Sequence, residues 1–246
     1  MFAASLAHMH KAGELLPSNE ICHLRVGWAC QFHALSNGSR AIVHVYLPGD
    51  VIGLDTFLCT RRFEEISALT AVTIETVDPL DAQSSLMANR PIALYVAWLL
   101  GQRQRRADRL VAAISCLDAP GRMALMVLDF YKRLRRRKLI TGSTYNLPMS
   151  QVQIGHYLGL TVVHINRVLR LLRDARIFSL EKHSVTILDL ERLTSLAQNG
   201  GTAISPGVRP FTEIALQADR TALGPARDQR LNNAGREKGG GDPPLA

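Results

Sequence analysis

Between residues 20 and 78 the apolar positions fall in short runs rather than at helical spacing: Ile21 to Arg25, Trp28 to Leu35, Ala41 to Leu47, and Ile66 to Val77 interrupted once. Runs of this length, separated by turn signals, predict strands. Ser36-Asn37-Gly38-Ser39 is a hairpin signal because Asn-Gly accepts the positive φ of a tight hairpin, and Leu47-Pro48-Gly49-Asp50 is a second turn. Evenly spaced strands predict an antiparallel roll or barrel. At Asn89 the period changes. Asn89 suits an N-cap, Pro91 the first turn, and helical spacing then runs from Ile92 to Leu117. Its apolar stripe, from Leu94, Ala97 and Trp98 through Gly101, Ala107, Leu110 and Val111 to Ile114 and Leu117, must be covered. A second copy of the helix would cover it, as would packing within its own chain. Asp118-Ala119-Pro120-Gly121 then predicts a hinge and caps a further helix from about Arg122 to Lys138.

The most demanding pattern lies between residues 150 and 172. Ser150 and Thr161 suit the N-caps of two successive helices, Gly155 supplies a small residue where helices cross closely, and Gly159 suits a turn with positive φ. Leu158 and Leu160 flank that turn as core plugs, and Ile165 packs back on the first helix, which is the helix-turn-helix pattern. With Thr161 as cap, Ile165, Val168, Leu169 and Leu172 face inward. Val162, Val163, Asn166, Arg167 and Arg170 then face outward, mostly in the N-terminal half that enters a major groove. Arg167 can pair bidentately with guanine, Asn166 can read adenine or a phosphate, and Val163 can pack on a thymine methyl, with Val162 beside them. His164, at the groove edge, and Arg170 are phosphate candidates. Phe178 to Leu180 and Val185 to Leu188 alternate around Glu181-Lys182-His183-Ser184, which predicts a β-hairpin wing.

Charge sharpens this picture. The 246 residues carry a formal net charge of +8, but residues 1–88 hold 5 basic and 9 acidic groups while residues 117–199 hold 13 and 6. An acidic front and a basic rear suggest a module that meets a polyanion, nucleic acid rather than anionic lipid. Lys132 to Lys138 contains six basic residues in seven, which either complement a helix C-terminus or touch phosphate. The longest apolar run, Ile92 to Leu100, is too short to span a membrane, and the first ten residues do not read as a secretory signal, so a cytoplasmic location is expected. Cys22, Cys30, Cys59 and Cys116 are spread without metal-ligand spacing, and no nucleotide-loop or hydrolase motif is present. No cofactor, metal or catalytic residue is expected. An enzyme of cupin type would need ligands inside the roll, for which His23, His33 and His44 are the only candidates.

The order of these parts resembles the Crp/Fnr family of bacterial transcription regulators. The resemblance covers about residues 20–199 and rests on Leu47-Pro-Gly-Asp-Val-Ile-Gly-Leu-Asp55, Leu117-Asp-Ala-Pro-Gly-Arg122, Leu147-Pro-Met-Ser-Gln151, and Tyr157-Leu-Gly-Leu-Thr-Val-Val-His-Ile-Asn-Arg167. The last is similar to a branch of Fnr-like regulators. The resemblance implies that Arg167 reads a guanine, that Ser150 and Thr161 contact phosphate, and that RNA polymerase is a partner. It also implies that the chain begins late relative to the family, leaving a roll edge for Met1 to Lys11 or a partner subunit to cover. Three departures stand out. Cyclic-nucleotide binders carry Glu and Arg where this chain has Leu54 and Ile66, so cyclic AMP binding is not expected. Cys22 with Cys30 does not reproduce the cysteine cluster of the oxygen sensors, and Val163 stands where much of the family has Glu.

The expected architecture is therefore α+β: a truncated antiparallel β-roll of the cyclic-nucleotide-binding type (1–88), a dimerisation helix (89–117), a winged helix-turn-helix (118–199) and a disordered tail (200–246). The expected function is a homodimeric regulator of double-stranded DNA at a palindromic site, with no effector identified. The alternative is a nucleoid-type protein of low sequence specificity.

Overall fold

The computed structural model describes residues 7–17, 19–34, 36, 40–54 and 65–198. All of them lie in one compact unit, Met1–Ile204. The front part holds seven strands: β1 (Ala7–His10), β2 (Ile21–Val26), β3 (Ala29–Ala34), β4 (Arg40–Tyr46), β5 (Val51–Ile52), β6 (Glu65–Ala68) and β7 (Val72–Val77). They form a four-stranded sheet in the order β1-β7-β2-β5 and a three-stranded sheet in the order β4-β3-β6, with antiparallel pairing throughout. The expected hairpin joins β3 to β4, although its Asn37-Gly38-Ser39 tip lies outside the described residues, as does the tail from residue 200. Two strands, β1 and β5, are absent from the sequence reading: β5 is only two residues long, and β1 is four residues without a β-branched side chain. β1 pairs along β7 from Ala7↔Glu75 to His10↔Val72, so the chain's own N-terminal segment covers the edge.

Both faces of β3 are buried, a pattern that half-exposed strands do not show. Ala29, with Tyr46, faces Cys22, Leu24, Ile66 and Ile74 in the core between the sheets. Cys30, Phe32, Ile42 and Val45 instead join the core of the C-terminal half.

A short helix, α1 (Pro79–Ala88), precedes the long helix α2 (Arg90–Cys116). The sequence reading has no helix at α1, whose Asp78 cap accepts a hydrogen bond from the Leu80 amide. Asn89 caps α2 as expected, its side chain accepting from the Ile92 amide. Of the expected apolar stripe, Leu117 is buried while Leu94, Trp98, Val111 and Ile114 are exposed; the buried positions of α2, Val96 and Ala113, lie outside that stripe. Helix α3 spans Ala119–Arg136 rather than Arg122 to Lys138, because the Asp118 side chain accepts from the Gly121 amide and draws Ala-Pro-Gly into the first turn. Then follow β8 (Thr144–Asn146), α4 (Gln151–Leu158), α5 (Val162–Asp174), β9 (Phe178–Glu181), β10 (Ser184–Ile187) and α6 (Leu190–Gln198). The sequence reading lacks β8, which makes the wing a three-stranded sheet, β8-β10-β9. No described helix is long and apolar enough to cross a membrane.

Candidate nucleic-acid interface

Local chemistry sets the ends of both helices of the motif. The Ser150 Oγ accepts from the Gln153 amide at 3.2 Å and the Gln153 side chain accepts from the Ser150 amide at 2.8 Å, a reciprocal capping box that starts α4. Gly159 ends α4 at φ 66°, and its amide donates to the Gly155 carbonyl. Gly155 is small for a reason other than helix crossing: a Cβ there would lie 2.5 Å from the Leu160 carbonyl oxygen, the backbone of the turn itself. Leu158 and Ile165 are almost fully buried, and Leu160 is partly buried against the same core.

Thr161 starts α5 by accepting from the His164 amide at 3.3 Å. Ile165, Val168 and Leu172 are buried on one face of α5. Val162, Val163, Asn166, Arg167 and Arg170 are exposed on the other, with Val163 at 78% exposure. His164 is exposed as well, but its Nδ1 lies 3.1 Å from the Thr161 hydroxyl. A phosphate at Thr161 would share that hydroxyl with the His164 ring, whereas the Ser150 Oγ is engaged as an acceptor from the Gln153 amide. The Lys182-His183 turn of the wing has both residues at positive φ, 47° and 69°, as a two-residue hairpin requires, and Lys182 is exposed at the tip. Without an Asn-Gly pair there, the tip carried no signal that would single out Lys182.

The basic run of α3 is only partly available to a ligand. The Arg133 guanidinium is buried, donating to the Val45 carbonyl and to Asp50. Arg137 donates to the Pro48 carbonyl at 2.7 Å and to the other Asp50 oxygen at 2.5 Å. Lys132, Arg135, Arg136 and Lys138 remain exposed. Two cations of the run thus hold the Leu47-Pro-Gly-Asp50 turn of the roll against the helix-turn-helix half. The rings of Trp28, Phe130 and Tyr157 continue this contact, with centroids 5.4 Å and 6.0 Å apart.

Leu54 and Ile66, at the two positions where cyclic-nucleotide binders carry charges, are both buried side chains. Cys22 and Cys30 are buried, and burial pushes the Cys30 thiol up to about 11. His23 lies 3.1 Å from Glu75, while His44 is buried elsewhere. Among the described residues no group of three or more His, Cys, Asp or Glu side chains could hold a metal ion.

Residues 121–196 match the model of the Crp-like helix-turn-helix domain. The anaerobic regulatory protein of Pasteurella multocida is 26% identical over 201 residues, covering 81% of this chain and 72% of its own length. The fumarate and nitrate reduction regulatory protein of Yersinia pestis is 28% identical, covering 78% of this chain and 75% of its own. The structure of FixK2 from Bradyrhizobium japonicum shares the fold at a TM-score of 0.69 and 22% identity, over 81% of this chain and 99% of that one. With the capped helix pair and its exposed outer face, these similarities make residues 121–196 a Crp-like helix-turn-helix domain, in a chain that is similar over about four-fifths of its length to transcription regulators of the Crp/Fnr type.

Proposed function

We propose that the chain acts as a homodimer that reads two half-sites of a palindrome about 34 Å apart, one helical turn of DNA. The observation that carries this reading is the exposed N-terminal half of α5, where Val162, Val163, Asn166 and Arg167 stand clear of a fully buried opposite face. Arg167 and Asn166 read base edges and the two valines meet thymine methyls, while Ser150, Thr161, His164 and Arg170 hold phosphates. The dimer reading is supported by Leu94, Trp98 and Val111, large apolar side chains exposed on α2. The proposed working parts follow the sequence: sensor-like roll 1–88, dimerisation helix 89–117 and DNA-binding domain 118–199. The engagement of Arg133 and Arg137 by Asp50 argues against the low-specificity alternative, since it withdraws two cations of the basic run from DNA.

Selection of bound fragments from random-sequence DNA at one fixed salt concentration tests this. The full-length protein should enrich a palindrome, and Arg167→Ala should lose about 1–3 kcal/mol at that site while keeping its non-specific affinity. An equal loss at all sequences would leave a backbone-reading protein instead.

A further inference from the structure

The turn of the wing is fastened to the segment that leads into α4. The Leu147 amide donates to the His183 carbonyl at 2.7 Å, and the His183 ring returns to Leu147, its Nδ1 lying 3.2 Å from the Leu147 carbonyl oxygen. Leu147 is three residues before the Ser150 cap, so the exposed Lys182 and His183 are held at the end of the motif where α4 starts. A carbonyl oxygen can only accept, so Nδ1 carries the hydrogen and the neutral His183 ring presents Nε2 as a lone pair. A phosphate oxygen of a nucleic acid is an acceptor too. The neutral ring has nothing to donate to it from Nε2, whereas a ring that has taken up a proton donates from both nitrogens. His164 is arranged differently. Its Nδ1 faces the Thr161 hydroxyl, which accepts from the His164 amide and has a hydrogen of its own to give. The neutral His164 ring can thus accept at Nδ1 and still donate from Nε2 to a phosphate. On the hairpin the titratable neighbours of His183 are Glu181 and Lys182. β8, paired with β10 beside the turn, brings Tyr145, whose buried hydroxyl donates to the Val127 carbonyl, and the segment from Leu147 to Ser150 brings none.

We infer that the wing turn is a phosphate-binding site whose contact through His183 requires a proton, so that DNA affinity rises as the pH falls, while the phosphate contact of His164 needs none. The inference rests on the proposed DNA function and adds Lys182 and His183 to its phosphate contacts. Histidine is the side chain that changes charge between pH 5 and 8, which places the coupling in that range. DNA bound at the turn favours the charged ring, so binding takes up protons. Affinity then rises by at most about tenfold per pH unit for each ring engaged.

Binding of the full-length protein to a labelled duplex at pH 6 and pH 8, at constant ionic strength, tests the site in wild type, His183→Asn and His164→Asn. The duplex carries the palindrome enriched by selection, or mixed sequence if none is enriched. Asn suits position 183 because it accepts positive φ and its side-chain amide can still donate to the Leu147 carbonyl, which keeps the turn closed. Wild type and His183→Asn are expected to bind alike at pH 8, and wild type to gain about tenfold more affinity than His183→Asn on going to pH 6. His164→Asn should weaken binding by the same factor at both pH values. Equal gains in wild type and His183→Asn, or loss of the extra gain in His164→Asn alone, would overturn the inference and leave the DNA reading in place. If wild type binds no duplex at either pH, the DNA reading itself fails and the inference falls with it.

Discussion

The Asp50 carboxylate and the Arg133 guanidinium, 83 positions apart, meet at 2.5 Å with both side chains almost fully buried. Arg137 takes the second carboxylate oxygen, and the Leu47 amide donates to the first at 2.7 Å. Burial alone would raise the Asp50 pKa, but the two guanidiniums and the hydrogen bond from Arg137 outweigh it and hold the carboxyl well below the usual range. The cluster fastens a turn of the roll to α3, the first helix of the helix-turn-helix half. The orientation of α5 relative to the roll is therefore set by a charged contact as well as by packing.

Removing one partner of such a pair leaves the other buried and uncompensated. Asp50→Ala is expected to cost about 3–5 kcal/mol in urea denaturation, whereas the double variant Asp50→Ala with Arg133→Met should recover part of that loss. A double-mutant cycle on full-length protein measures the coupling. Simple additivity of the two single variants would show that the contact contributes nothing of its own.

His44 is buried beside this cluster and packs on Tyr46 with ring centroids 4.5 Å apart. Burial first, then the Arg133 and Arg106 guanidiniums, hold its pKa well below 6.5, against the opposing pull of Asp50. The unfolded chain thus binds a proton near pH 6.5 that the folded protein refuses. The contribution of His44 is complete above that pH and is lost as the pH falls, at up to about 1.4 kcal/mol per pH unit. Asp50, also depressed, begins to withdraw its contribution only below about pH 4. Stability measured between pH 7.5 and 4.5 should fall in wild type and be flatter by that amount in His44→Gln. A slope that survives in the variant would assign the loss to other groups.

Gly155 tests the turn of the motif. Because an added Cβ would lie 2.5 Å from the Leu160 carbonyl oxygen, which is backbone and cannot swing away, Gly155→Ala must displace the turn. The expected cost is about 1–3 kcal/mol with a larger proportional loss of DNA binding, since α5 moves with the turn. Asp78→Ala is the matched control. It removes only the cap of α1, for about 1 kcal/mol, and leaves the turn in place. Comparable DNA-binding losses in the two variants would mean that the turn geometry does not control the outer face of α5.

Period, caps and breakers are local, and the sequence by itself determined what depends on them. Asn89, Asp118, Ser150 and Thr161 each cap the helix that follows, and Gly159 takes the left-handed conformation its place in the pattern demands. The outer face of α5 is legible for the same reason, since helical spacing alone separates Arg167 from Ile165. β5 and β8, two and three residues long, carry too little pattern to be read, and β1 is four residues without a β-branched side chain, so all three emerge only in the structure. The partners of the basic run were equally out of reach. Lys132 to Lys138 looks like one charged surface because charge is read along the chain, yet burial is decided by what packs from elsewhere. Only the tertiary structure brings the turn at Asp50 to α3 and turns Arg133 and Arg137 inward. Those pairings join residues more than eighty positions apart, where no local propensity acts and the packing of two hydrophobic surfaces sets the distance.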